Sequence, residues 1–227
     1  MSENHISIHV RHNDQAAVSA AVSQIFNGAG YGLLTDETAQ QAVESEEELE
    51  DDIYGYIVTG ATEGGWISIY VDDWVDSGLI AKSVSQTLQA WTLETWIQDE
   101  FHWGYTLYNE GAILDRFTDD PYALTNDPDE AALYTGNHET FLPILVQPAE
   151  TLKTLLDEAQ EKAAEENSTK SVAHLAEAVG IPFEHALIGL EDFFEEDPED
   201  YIPDLENWPA FRFLTFRHPE GKSTLVS

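Results

Sequence analysis

Carboxylates are the side chains of this chain best placed to do chemistry: 44 Asp and Glu stand against 9 Lys and Arg, a formal net charge of −35. Asp72, Asp73 and Asp76 fall where a strand gives way to a helix, a place where side-chain oxygens can collect a divalent cation or cap the first turn. No EF-hand spacing is present, so the spacing favours capping by Asp76 with Asp72 and Asp73 in solvent. Trp74 lies among these acids, which make its full burial expensive and leave an aromatic ring inside a charged rim, the form of an interface anchor. Two acidic blocks add to them: ESEEELEDD at 44–52, with Glu46, Glu47 and Glu48, and EDFFEEDPED at 191–200, with Glu195 and Glu196 beside Phe193 and Phe194. Like-charge blocks repel one another and stay solvated. Read instead as contact surface, Asp72, Asp73, Trp74, Asp76, Glu46, Glu47, Glu48, Glu195 and Glu196 form a candidate set for binding a basic protein partner.

Other chemistries leave weaker traces. The chain has no cysteine, which removes disulfides, zinc–thiolate sites and thiol nucleophiles. His5 and His9 share one face of a predicted strand, but positions four apart there are separated by about 13 Å, too far to hold one ion. GATEGG, at 60–65, lacks the Lys-Ser/Thr ending of a phosphate loop and sits between predicted strands, so it reads as a turn. No G-x-S-x-G elbow occurs. Paired carboxylates carry no signal in a chain with so many, since any cleft would contain two. Neither a catalytic residue, a cofactor site nor a metal site is predicted, and enzyme status stays open with catalysis the less favoured reading.

A charge of this sign opposes binding to DNA or RNA backbones and to anionic membranes, both of which need clustered Lys and Arg. The natural complement is a basic protein, as for inhibitors and immunity-type proteins, where charge speeds association. Three alternatives compete. Carboxylates spaced like phosphates would make a DNA mimic, a salt-rich cytoplasm would favour surplus acid without any partner, and an enzyme site of unrecognised type would leave no motif. MSENHISIHVRHND lacks the pattern of a signal peptide, and no apolar run approaches the roughly 20 residues that span a bilayer, so a cytoplasmic location is expected.

The elements that must position these side chains centre on residues 65–121, which hold five of the six tryptophans. Ile67, Ile69 and Val71 alternate with Trp66, Ser68 and Tyr70 on a strand. Ile80, Val84 and Leu88 then recur at helical spacing. Leu93, Thr95 and Ile97 form the next strand, and Asn109-Glu110-Gly111 turns a hairpin between YTLY and AILDRF. The segment HWGYTLYNEGAILDRFTDDP resembles one shared by a widespread group of uncharacterised bacterial proteins, and SVAHLAEAVGIPFEHALIGLEDF is similar to that group's C-terminal helix. The resemblance implies a shared fold and brings no activity.

Around that centre, Ile6, Ile8 and Val10 predict a first strand, and Asp14 caps a helix carrying Val18, Val22, Ile25 and Phe26. Tyr31 to Leu34 and Ile53 to Gly60 read as strands, so the order suggests a split βαβ arrangement. FLPILV suggests one more strand. Leu152, Leu155 and Leu156 mark an amphipathic helix. Ser171 is a candidate cap for another, which Gly180-Ile181-Pro182 ends. WPAFRFLTFRH reads as a closing strand. The expected fold is α+β, an antiparallel or mixed sheet with helices packed on one face and a helical C-terminal part. The expected organisation is one domain over 1–227, with a sheet core at 1–121 and a helical extension at 122–227.

Overall fold

The computed structural model describes residues 5–38, 53–72, 75–98, 101–161, 168–194 and 212–217. Its eight strands are β1 (His5–Arg11), β2 (Gly32–Thr38), β3 (Ile53–Val58), β4 (Trp66–Val71), β5 (Thr92–Gln98), β6 (His102–Asn109), β7 (Ala112–Thr118) and β8 (Arg212–Arg217). They form one sheet in the order β2-β8-β3-β4-β1-β5-β6-β7, and every neighbouring pair is antiparallel. The main helices are α1 (Gln15–Gly28), α2 (Ser77–Leu88), α5 (Ala149–Glu161) and α6 (Ser168–Val179). Short helical turns α3 (Pro121–Leu124), α4 (Pro128–Ala131) and α7 (Phe183–Ala186) complete the set.

Six elements reproduce the split βαβ arrangement suggested by the sequence. In the order β3-β4-β1-β5, α1 carries the chain from β1 towards β3, and α2 carries it from β4 to β5 across β1. β3, rather than the segment after Tyr31, fills the second strand position. β2 and β8 extend the sheet beyond β3, and β6 and β7 extend it beyond β5.

Helices cover both faces of the sheet, where the sequence pointed to one. Ile8, Val10, Ile67, Ile69 and Val71 meet Val18, Val22 and Phe26 of α1 and Ile80, Ala81 and Val84 of α2 in a first core. Leu93, Ile97, Trp103, Tyr105, Leu107 and Trp66 meet Leu152 and Leu156 of α5 and Val172, Leu175 and Val179 of α6 in a second. The cause lies in the strands themselves: all six residues of β4 are buried, so neither face can be left to water. Each large apolar side chain taken from water contributes about 1.5–3 kcal/mol, which is the reason the C-terminal helices fold back onto the sheet.

Local chemistry sets the ends of the elements. Asp14 accepts hydrogen bonds from the Ala16 and Ala17 amides at the start of α1, and Asp76 Oδ1 accepts one from the Leu79 amide, 2.9 Å, at the start of α2. Glu110 and Gly111 both have positive φ, 52° and 80°, and close the β6–β7 hairpin in two residues. Gly180, with φ 81°, stops α6.

Two local expectations fail. FLPILV forms turns instead of a strand: the Ile144 amide donates to the Phe141 carbonyl at 2.8 Å, and both side chains enter the second core. α6 begins at Ser168, so Ser171 is buried in its first turn and is not its cap.

Candidate functional site

Of the nine side chains expected to bind a partner, Asp73, Trp74, Glu46, Glu47, Glu48, Glu195 and Glu196 lie outside the described residues. Asp72 and Asp76 lie within them. Asp72 is half-buried after β4 and its carbonyl accepts a hydrogen bond from the Val75 amide, 3.0 Å. Asp76 is exposed and spends one carboxylate oxygen on the α2 cap. Close to it, on β5, is a residue that the sequence alone did not single out, Glu94.

Glu94, on β5, is only 7% exposed and lies beneath the first turn of α2. The Ser77 hydroxyl donates to Oε1 at 2.6 Å and the Tyr108 hydroxyl to Oε2 at 3.1 Å. Burial raises the Glu94 carboxyl above the ordinary range, against the pull of those two hydrogen bonds, while Asp76 adds repulsion and Arg116 attraction. The three groups converge on Gly78, where a Cβ would stand 3.4 Å from the Tyr108 hydroxyl, 3.5 Å from Asp76 Oδ1 and 3.6 Å from Glu94 Oε2. The arrangement ties the N-terminus of α2 to β5 and β6. Glu94 takes the strand face of Thr92 and Trp96, which register sets opposite Ile8 on the α2 side, a placement that appears only once β1 and β5 pair.

A second polar cluster runs through the sheet on the α6 side. His9 Nδ1 lies 2.9 Å from Ser68 Oγ and its Nε2 lies 3.0 Å from Ser7 Oγ, which in turn sits 2.9 Å from Thr95 Oγ1. Ser68 Oγ also lies 3.2 Å from His185 Nδ1, and the Tyr70 hydroxyl donates to the His185 carbonyl at 2.9 Å. Burial lowers His9 to about 3, helped by His185, and lowers His185 to about 4. Both imidazoles are therefore neutral near pH 7. With His9 0% and Ser68 0% exposed, this Ser/His pair is closed to any substrate and serves to satisfy polar groups inside the sheet. His5, by contrast, faces Asp192 at 3.5 Å. Among the described residues no group of three His, Asp or Glu side chains could hold a metal ion.

The tryptophans divide between cover and core. Trp66 is fully buried and its indole N–H donates to the Val179 carbonyl of α6 at 2.9 Å. Trp103 stacks at a tilt on Phe117, 4.8 Å between centroids. Phe193, from the second acidic block, is buried against Tyr70 at 5.2 Å, so this part of the block packs rather than projects.

The outer surface holds a groove of about 550 Å³ between α5 and α6, lined among others by Leu152, Leu155, Glu150, Glu158, His174 and Glu177. Half-buried Leu155 lies at its floor above the fully buried Leu152, and Glu150, Glu158, His174 and Glu177 stand exposed at the rim, where Glu150 Oε1 lies 3.9 Å from Lys153 Nζ. The leucine stripe of α5 in the amino-acid sequence gave notice of the floor. It gave none of the rim, because His174 and Glu177 join it only when α6 packs alongside.

No helix among the described residues is long and apolar enough to cross a membrane. Comparison with known proteins finds no matching family model, no matching curated protein and no matching solved structure.

Proposed function

We propose that this chain is a non-catalytic acidic binding protein of the cytoplasm that engages a basic protein partner, in the manner of an inhibitor or immunity-type protein. One observation carries the reading: the acids are unequally divided between the two helical layers. α1 contains no charged residue and α2 contains Lys82 alone, whereas α5 carries Glu150, Asp157, Glu158 and Glu161 against Lys153, and α6 carries Glu177 against Lys170. Negative charge that served only to keep the molecule dissolved has no reason to avoid the exposed positions of α1. Among these four helices the surplus acid lies on α5, and an uneven distribution of that kind steers a cationic partner and raises its association rate.

Affinity capture from the source cell at low salt, followed by titration with the purified captured protein, tests the reading. Saturable binding to a basic protein, weakening steeply as salt is raised, is the expected result. Absence of saturable binding at low salt would remove the reading.

A second reading has its own support. Acids also crowd the segment after β7, at Asp119, Asp120, Asp127, Asp129 and Glu130, and the whole chain has only five lysines. That breadth suits a protein adapted to a salt-rich cytoplasm. It predicts marked stabilisation towards unfolding as salt approaches molar concentration, because repulsion among the carboxylates is then screened.

A further inference from the structure

We propose that the strap from Asp120 to Tyr134, which follows β7, is a docking surface for a basic protein partner that offers an apolar recess. The inference rests on the acidic-binding reading above and gives it a location. Three large apolar side chains of the strap stand in water: Tyr122 is 63% exposed, Leu124 48% and Leu133 61%. They are drawn onto one surface. Tyr122 and Leu124 share α3, the adjacent Thr125 hydroxyl donates to Glu130 Oε2 of α4 at 2.7 Å, and Leu133 follows one turn beyond Glu130. Apolar residues scattered singly over a surface need no cause, whereas a group gathered on one exposed strap marks an interaction site, and tyrosine is among the residues that anchor such contacts.

Charge selects the occupant. Asp120, Asp127, Asp129 and Glu130 stand exposed among these side chains, and no Lys or Arg occurs from Phe117 to Leu152. Among the described residues none of the four carboxylates forms an ion pair. Their hydrogen bonds come from neutral donors: the Tyr122 and Ala123 amides on Asp120, the Asp129 amide on Asp127 and the Thr125 hydroxyl on Glu130. Acid kept only for solubility gives no reason to leave three large apolar side chains in water beside it. The strap is also held at both ends, by the Asp119 amide on the Trp103 carbonyl at 3.2 Å and the Gly136 amide on the Arg116 carbonyl at 2.9 Å, so binding has little left to order. Gln160 of α5 donates to the Thr135 carbonyl at 2.9 Å, which sets the strap beside the acid-bearing helix.

Other occupants fit less well. A second copy would bring a further charge of −35 to these carboxylates. A small ligand has no concave seat, since every residue from Tyr122 to Glu130 except Thr125 is exposed.

The test titrates the full chain with two synthetic peptides of equal positive charge, one of lysine with leucine and tryptophan and one of lysine alone, read by fluorescence anisotropy. Tyr122→Ser with Leu133→Ser removes two apolar side chains of the strap without altering charge, and Leu142→Ser with Val146→Ser removes two exposed apolar side chains outside it. Circular dichroism melts check that each variant folds. For the natural chain, two-dimensional NMR of backbone amides then locates the bound peptide.

The expected result is saturable binding of the mixed peptide, about tenfold or more tighter than oligolysine, with amide shifts centred on 119–135. That preference should vanish in Tyr122→Ser/Leu133→Ser and persist in Leu142→Ser/Val146→Ser. Equal binding of the two peptides by the natural chain, shifts centred elsewhere, or equal loss in both variants would overturn the site. Its failure is distinguishable from that of the reading it rests on. A basic protein captured at low salt that binds Tyr122→Ser/Leu133→Ser as tightly as the natural chain removes the strap and leaves the acidic-binding reading standing, whereas absence of any such protein removes both.

Discussion

His9 and His185 share a single hydroxyl: Ser68 Oγ lies 2.9 Å from Nδ1 of the first and 3.2 Å from Nδ1 of the second. Ser68 has one proton to give, so it donates to one imidazole and accepts from the other. Both rings are then neutral with opposite tautomers at those nitrogens. Burial, which penalises the charged imidazolium, holds both rings well below the ordinary histidine range, and the proximity of His185 lowers His9 further.

The pH dependence follows from this pair. The unfolded chain takes up protons near 6.5, while folded His185 and His9 do so only near 4 and 3. Their contribution to stability is therefore level above pH 6.5 and is lost as pH falls below it, with a limiting slope of about 1.4 kcal/mol per pH unit for each ring. Glu94, Asp115 and Asp119 are raised by burial and act in the opposite sense, so the clean measurement is a difference. Urea unfolding of the natural chain and of His185→Gln at pH 7, 6, 5 and 4 should show the advantage of histidine shrinking below pH 6.5. A difference that stays constant with pH would mean that His185 is not held neutral.

Gly104, in the middle of β6, admits no side chain. A Cβ there would meet the Phe117 carbonyl oxygen at 2.5 Å and the Trp96 ring more closely still. Gly104→Ala should lower stability by more than about 2 kcal/mol, through displacement of the indole and of the β6–β7 ladder. In the background of Trp96→Ala the same substitution should cost less, while the carbonyl clash keeps the cost above zero. A double-mutant cycle by chemical denaturation measures the coupling.

Glu94 yields a contrast between two substitutions. Glu94→Ala strands the Ser77 and Tyr108 hydroxyls and leaves a gap, for an expected loss of about 2–3 kcal/mol at pH 7. Glu94→Gln keeps an acceptor oxygen and removes the cost of a buried charge, so its loss should stay under about 1 kcal/mol. Thermal melts of the two variants decide; equal losses would mean that the ionised carboxylate itself is what holds α2 in place.

Asp76 separates capping from partner contact. Asp76→Asn retains the oxygen that accepts from the Leu79 amide and should be nearly neutral in stability, while Asp76→Ala should cost about 1 kcal/mol. Equal stability of the alanine and natural chains would show that the cap contributes nothing.

Much of the fold was legible because its signals are local. The alternation in WISIYV, the periodic apolar positions of α2 and the Glu110-Gly111 turn each reflect a backbone preference acting over a few residues. What escaped the sequence was long-range. Nothing in TLETWIQ announces that Glu94 will receive hydroxyls from Ser77 and Tyr108, because their partnership exists only once α2 crosses β5 and β6. FLPILV misled for the same reason: its apolar run is consistent with a strand, and Pro143 together with the demand of the second core for Phe141 and Ile144 turned it into a tight bend. The groove rim, drawn from α5 and α6, is likewise a product of helix packing.

β8 sits between β2 and β3, yet 153 residues separate the end of β3 from the beginning of β8, so the ribosome makes every other described strand first. During synthesis the facing edges of β2 and β3 thus wait without their common neighbour, each presenting a row of open amides and carbonyls able to recruit a stray strand. A nascent chain in this state is open to mispairing, and the like charge of such chains, −35 when complete, opposes their association before β8 is made.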